Sequence, residues 1–161
     1  RMKFSLLVIV ILLLSSCAGV VNQTVTEKDE KGPYLVLPLE NYTETPYAGY
    51  RVSSIIEGVL ASKGYRLIER VWGYSEREYS KEDIERLKEE AIKKGARYLV
   101  YGSVNEFRYK TGIDGEPAVS ITLFVYDVRE NKIIKAVSVS GSGWVHESLG
   151  TLTQKLINRA F

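Results

Sequence analysis

The 161 residues include one cysteine and one histidine. With Cys17 alone, no disulfide can form within the chain. His146 alone cannot build a histidine-based metal cluster. No glycine-rich phosphate loop precedes a helical pattern, and no serine sits in a nucleophile elbow. Glu147 and Ser148 adjoin His146, but neighbouring residues on a helix point in different directions, so the three are not a triad. Two carboxylates can hydrolyse a glycoside, but a chain with 20 acidic residues offers such pairs by number alone. These absences point away from an enzyme and imply neither a metal nor a dissociable cofactor. Neither sign of charge dominates: 22 basic side chains stand against 20 acidic ones, a formal net charge of +2.

What is present begins at the first residues. Arg1 and Lys3 precede the apolar run Phe4 to Leu14, which leads into "LSSC", residues 14–17. The run is shorter than the ~20 apolar residues of a membrane-spanning helix. Its charged, apolar and small-residue regions follow the order of a signal peptide, with Met2 as the start. "LSSC" resembles the lipobox of bacterial lipoproteins, in which the cysteine receives a diacylglyceryl group and an N-acyl chain. Acylation of Cys17 would account for a lone thiol in an exported protein. Ala18, where an aspartate would signal retention in enteric bacteria, favours the outer membrane by the same resemblance.

Residues 1–16 are therefore read as a lipoprotein signal peptide, residues 17–32 as the acylated cysteine and a flexible tether, and residues 33–161 as one α/β domain. Arg1 and Lys3 leave with the signal. Of 22 basic side chains 20 then remain, against 20 acidic ones. A neutral chain has no nucleic-acid footprint, so any electrostatic role depends on where its charges sit.

Along the domain, "YLVLPLE" from Tyr34 reads as a buried strand, and Pro38 marks its end. Val52, Ile55, Ile56, Val59 and Leu60 recur at helical spacing, with Gly64 as the stop. "YRLIERV", residues 65–71, reads as a second strand. Ser80 and Asp83 predict a capping box for a second helix, with Ile84, Leu87, Ala91 and Ile92 as its apolar stripe and Gly95 as its end. From Ala96 three antiparallel strands follow, the middle one alternating Val119, Ile121, Leu123 and Val125 against Ser120, Thr122, Phe124 and Tyr126. A last helix is expected from about Trp144, with Val145, Leu149, Leu152, Leu156, Ile157 and Ala160 on one face. The order β-α-β-α-β-β-β-α predicts a mixed, mainly antiparallel sheet with helices packed on it, in a single domain.

The loop "KTGIDGEPAVS" joins the first two strands of this meander. Asp114-Gly115 suits a hairpin that needs positive φ, so turn chemistry by itself explains Asp114 and Glu116. Trp144 reads either as a core anchor or as an interfacial ring. Tyr42, Tyr47 and Tyr50 read either as packing, within the chain or against a neighbouring subunit, or as sugar-stacking rings. Arg108 and Lys110 are candidate partners for acidic groups within one subunit or across an interface.

Three stretches carry a more specific likeness: "NYTETPYAG", "GSVNEFRYKTGIDGEPAV" and "SGSGW". With them, the chain from about Tyr34 to its end resembles the PelC family, the lipoproteins of the Pel exopolysaccharide export apparatus. "GARYLVYGSV" is less selective and is similar to a wider group that includes the curli pore CsgG and the penicillin-binding-protein activator LpoB. The resemblance implies a non-catalytic lipoprotein on the periplasmic face of the outer membrane, forming a homo-oligomeric ring of about twelve. The ring would lie beneath the β-barrel channel PelB and guide a cationic polysaccharide to it for biofilm matrix export. It also implies that Cys17 is the acylation site, that Asp114 lines an electronegative funnel with Glu116 beside it, and that Trp144 faces the membrane. The tether and residues 71–80 do not align with the family, and no role is carried over to them. An LpoB-like activator of a peptidoglycan synthase is the alternative, but the tether is short for a reach across the periplasm. A CsgG-like secretion channel is the other, but no pair of membrane hairpins of ~9–11 alternating residues is evident.

Overall fold

The computed structural model describes residues 20–25, 32–112 and 115–161. Its strands are β1 (Val20–Val25), β2 (Tyr34–Val36), β3 (Glu40–Asn41), β4 (Tyr98–Tyr109), β5 (Pro117–Asp127) and β6 (Lys132–Ser142). Its helices are α1 (Ala48–Ser62), α2 (Lys81–Lys93) and α3 (Leu149–Ala160). One sheet runs β1-β6-β5-β4-β2, and β3 also pairs with β4. The pairs β1–β6, β6–β5 and β5–β4 are antiparallel, whereas β2 and β3 run parallel to β4. This is the mixed, mainly antiparallel α/β domain anticipated from the sequence.

Alternation in β5 decides which side of the sheet is filled. Val119, Ile121, Leu123 and Val125 are buried in the larger core under α1 and α3, together with Val52, Ile56, Leu60, Leu152, Leu156 and Ile157. Ser120, Thr122, Phe124 and Tyr126 on the opposite face are half-buried. A smaller core lies on that second face, where Ile84, Leu87 and Ala91 of α2 meet Leu35, Leu37, Leu99 and Trp72.

Local chemistry sets the helix limits. α1 ends where Gly64 takes φ +84° and the Tyr65 N–H reaches the Leu60 carbonyl at 3.0 Å, a Schellman closure. α2 starts with the capping box: Ser80 Oγ accepts the Asp83 N–H at 3.2 Å, and Asp83 Oδ2 accepts the Ser80 N–H at 2.9 Å. Ile92 departs from expectation, because it lies off the buried stripe and is exposed.

Three other expectations change. The 65–71 segment makes a single parallel bridge, Tyr34 to Leu67, held by two backbone hydrogen bonds. Its partner β2 is only three residues long and leads to Pro38, so no ladder can extend. The last helix begins at Leu149 rather than near Trp144, because Ser148 is the cap and accepts the Thr151 N–H, while His146 has φ +71°. Val145 is therefore exposed and lies outside the helix face assigned to it. Within the stretch read as a tether, Val20–Val25 lies as β1 along β6. Its residues VVNQTV do not alternate apolar with polar, so the period that marks a half-buried strand is missing.

Candidate functional site

The end of β4, the start of β5 and the end of β6 lie at one end of the sheet. Tyr109 pairs with Pro117, and Ala118 pairs with Ser142. The Lys110 N–H donates to the Glu116 carbonyl at 2.7 Å and the Gly143 N–H to the Pro117 carbonyl at 2.9 Å, which binds the hairpin to the turn carrying Trp144. Asp114 and Cys17 lie outside the described residues. Glu116 is half-buried, and its carboxylate is 3.7 Å from Lys110 Nζ. Arg108 pairs with Glu106 at 3.9 Å, both side chains well exposed. Each cation flanking the hairpin thus has an acidic partner within the same protomer.

Trp144 is 55% exposed, so it is not a core anchor. Its backbone N–H donates to Glu147 Oε2 at 3.0 Å, and Lys155 Nζ is 2.7 Å from Glu147 Oε1. The Lys155 ammonium beside it and the Trp144 amide outweigh burial and hold the Glu147 carboxyl below its ordinary value. The Tyr109 hydroxyl accepts the Leu149 N–H at 3.2 Å on the same side. Among the described residues, Trp144, Val145 and Tyr109 are the exposed apolar groups of this end.

The three tyrosines of the 42–50 stretch separate into two environments. Tyr42 is 69% exposed, and its hydroxyl donates to the Glu40 carboxylate. That hydrogen bond raises the Tyr42 hydroxyl above the usual tyrosine range. Tyr47 stacks on Tyr50 at 5.9 Å and 13°, and Tyr50 stacks on Trp72 at 5.9 Å and 23°. Tyr74 and Tyr79 close the group, with Tyr74 5.4 Å from Tyr47 and Tyr79 edge-on to Tyr50 at 5.7 Å. Tyr47 and Tyr50 therefore pack within the protomer. Their partners come from the 72–79 segment, where the sequence suggested no role; tyrosine and tryptophan density was the one signal there.

A second feature escaped sequence reading. The 42–45 loop and residues 105–108 of β4 enclose a cleft of about 470 Å³, lined by Tyr42, Thr43, Glu44, Asn105, Glu106 and Arg108 together with Thr45 and Phe107. Among the described residues, no group of three or more His, Cys, Asp or Glu could hold a metal ion, and no helix is long and apolar enough to cross a membrane.

No protein-family model and no curated protein matches the chain significantly. Solved structures do. The PelC dodecamer from Paraburkholderia phytofirmans is 31% identical, with a TM-score of 0.72 over 89% of this chain and 94% of that one. A singly substituted form of that dodecamer gives 30% identity and a TM-score of 0.76, over 89% of this chain and 95% of the other. A lipoprotein from Neisseria meningitidis shares the fold at 18% identity and a TM-score of 0.53, over 79% of this chain and 96% of its own.

Proposed function

The chain belongs to the PelC family, and we propose that it is a non-catalytic lipoprotein that guides a cationic exopolysaccharide through the periplasmic face of the outer membrane. In this reading Cys17 carries the acyl chains. About twelve copies form a ring, and the ring delivers the polymer to the β-barrel channel PelB for biofilm matrix export. The dodecameric state of the Paraburkholderia relative supports the ring.

The observation that carries the reading is a convergence at one end of the sheet. β1 is antiparallel to β6, so Val20 lies opposite Ser140, beside the end of the strand that leads to Trp144. Cys17 precedes Val20 by three residues, a reach of about 10 Å at most. The 110–116 hairpin leaves the same end of the sheet. The lipid anchor and an exposed indole would thus face the membrane together, with the acidic hairpin leaving the same end of the sheet toward the opening of the ring. Indole rings favour the headgroup layer, so Trp144 would steady that end of each protomer.

Repetition then turns a weak site into a path. A single exposed carboxylate holds a cation by about 1 kcal/mol or less. Arranged around a ring, one such group per protomer creates a field that low-dielectric walls focus into the opening. Many weak sites in succession attract a polymer without trapping it.

Native mass spectrometry or cryo-EM of the acylated protein in detergent or bilayer tests the assembly. A ring of about twelve is the expected result, and a strict monomer at membrane-like concentration overturns it.

A further inference from the structure

β4 contains a bulge. Val104 pairs with Ile121 and Glu106 with Ser120, which leaves Asn105 as an extra residue on the β4 side. A bulge breaks the alternation and re-aims side chains. Here it turns both Asn105 and Glu106 outward before Phe107 returns to the core. These residues floor the cleft beneath the 42–45 loop.

The loop over that floor is held rigidly. Asn41 Oδ1 accepts the Thr43 N–H at 2.9 Å and the Thr43 hydroxyl at 2.6 Å. Asn41 Nδ2 donates to the Thr45 carbonyl at 2.8 Å and to Glu78 Oε1 at 2.9 Å. The Thr45 hydroxyl donates to the Phe107 carbonyl at 2.5 Å, and the Tyr42 N–H donates to the Val104 carbonyl at 2.9 Å. On this frame the Tyr42 ring stands largely in solvent, with its hydroxyl fixed to Glu40. Glu44 and Glu106 line the cleft with Arg108, which pairs with Glu106; Arg51 lies over the outer core ring of Phe107 at 4.9 Å. Within the lining itself two carboxylates, Glu44 and Glu106, stand against one cation, Arg108.

We infer that this cleft is a subsite for one protonated hexosamine unit of the polymer, with the Tyr42 ring stacking on the sugar face and Glu44 and Glu106 pairing with its ammonium group. The inference rests on the reading of the protein as a guide for a cationic polysaccharide, and it adds a place where single sugar units dock. The volume lies within the ~300–1,000 Å³ of small-ligand sites. A subunit contact is the less suitable occupant, because glutamate is depleted from the centres of protein interfaces. β4 runs from the cleft floor directly to the 110–116 hairpin, so a chain bound at one lies on the way to the other.

The test uses the full-length acylated protein in detergent micelles and a glucosamine hexasaccharide, with binding read by calorimetry. Tyr42→Ala and the pair Glu44→Gln with Glu106→Gln are each expected to weaken binding about ten-fold. Tyr42→Phe keeps the ring and is expected to bind as the wild type does. The N-acetylated hexasaccharide is expected to bind more weakly than the amine. Equal binding by Tyr42→Ala and wild type overturns the subsite and leaves the guiding role standing. Absence of wild-type binding also overturns the subsite, and polymer secretion by a hairpin variant then judges the guiding role separately. Dissociation of the ring by Tyr42→Ala, with sugar binding intact, would identify the cleft as a contact between copies and overturn the proposal.

Discussion

Glu147 accepts the Trp144 backbone N–H at 3.0 Å while its other oxygen stands 2.7 Å from Lys155 Nζ. One carboxylate thus ties the exposed indole to the second turn of α3. Its folded-state pKa is lowered, first by Lys155. A lowered acid contributes stability above its unfolded value, about 4.3 for glutamate, and that contribution is lost as pH falls through the folded value. Glu147→Gln is expected to cost about 1 kcal/mol near pH 7, an amount limited by the solvent around the half-exposed Lys155. Urea unfolding followed by tryptophan fluorescence checks this. The gap between variant and wild type should narrow as pH falls below the ordinary glutamate range, and a gap of constant size would contradict the role.

Asp83 makes the same argument at α2. The Ser80 N–H, the Ser80 hydroxyl and Arg86, in that order, lower its pKa to about 2. The stabilisation is therefore complete above the ordinary aspartate range and fades as pH drops toward about 2. Asp83→Asn is expected to unfold at lower urea than wild type at neutral pH and to lose part of this acid sensitivity. Side-chain carboxyl NMR titration measures the pKa directly, and a midpoint at the ordinary aspartate value would refute the capping account.

Gly102 and Gly58 should respond in opposite directions to alanine. At Gly102 φ is +150° and an added Cβ would stand 1.9 Å from the Thr122 carbonyl oxygen, in the middle of the β4–β5 ladder. Gly102→Ala is expected to cost more than about 3 kcal/mol, at the upper end of overpacking penalties. Gly58 lies on the exposed side of α1, with open space where an added Cβ would stand. Gly58→Ala is expected to stabilise by roughly 0.5–1 kcal/mol through helix propensity. Denaturant midpoints of the two variants, compared with wild type, decide both.

The hairpin predicts a difference between its two acids. Asp114→Arg is expected to block polymer secretion while protein level, folding and membrane localisation stay normal. Glu116→Gln should have a smaller effect, because Glu116 already faces Lys110 at 3.7 Å. Secretion assays with the two variants in a strain lacking the wild-type gene make the comparison. Normal secretion by Asp114→Arg would remove that residue from the proposed path.

Some of this protein was decided locally, and that part was legible in the sequence. Helical spacing located α1, Ser80 with Asp83 started α2, and strict alternation from Val119 to Tyr126 located β5, because each depends on neighbours within a few residues. The PelC-like motifs were likewise carried by consecutive residues. Tertiary structure alone decided the rest. Tyr50 finds Trp72, Asn41 finds Glu78, and Thr45 finds Phe107 across 22, 37 and 62 positions of chain, with the last two joined by hydrogen bonds. Such pairs depend on where the sheet brings separate segments together, and no local period records them. Trp144 shows the same division: its aromatic character was plain from the sequence, but the cap at Ser148 and the bond to Glu147 decided that it stands in solvent rather than in the core.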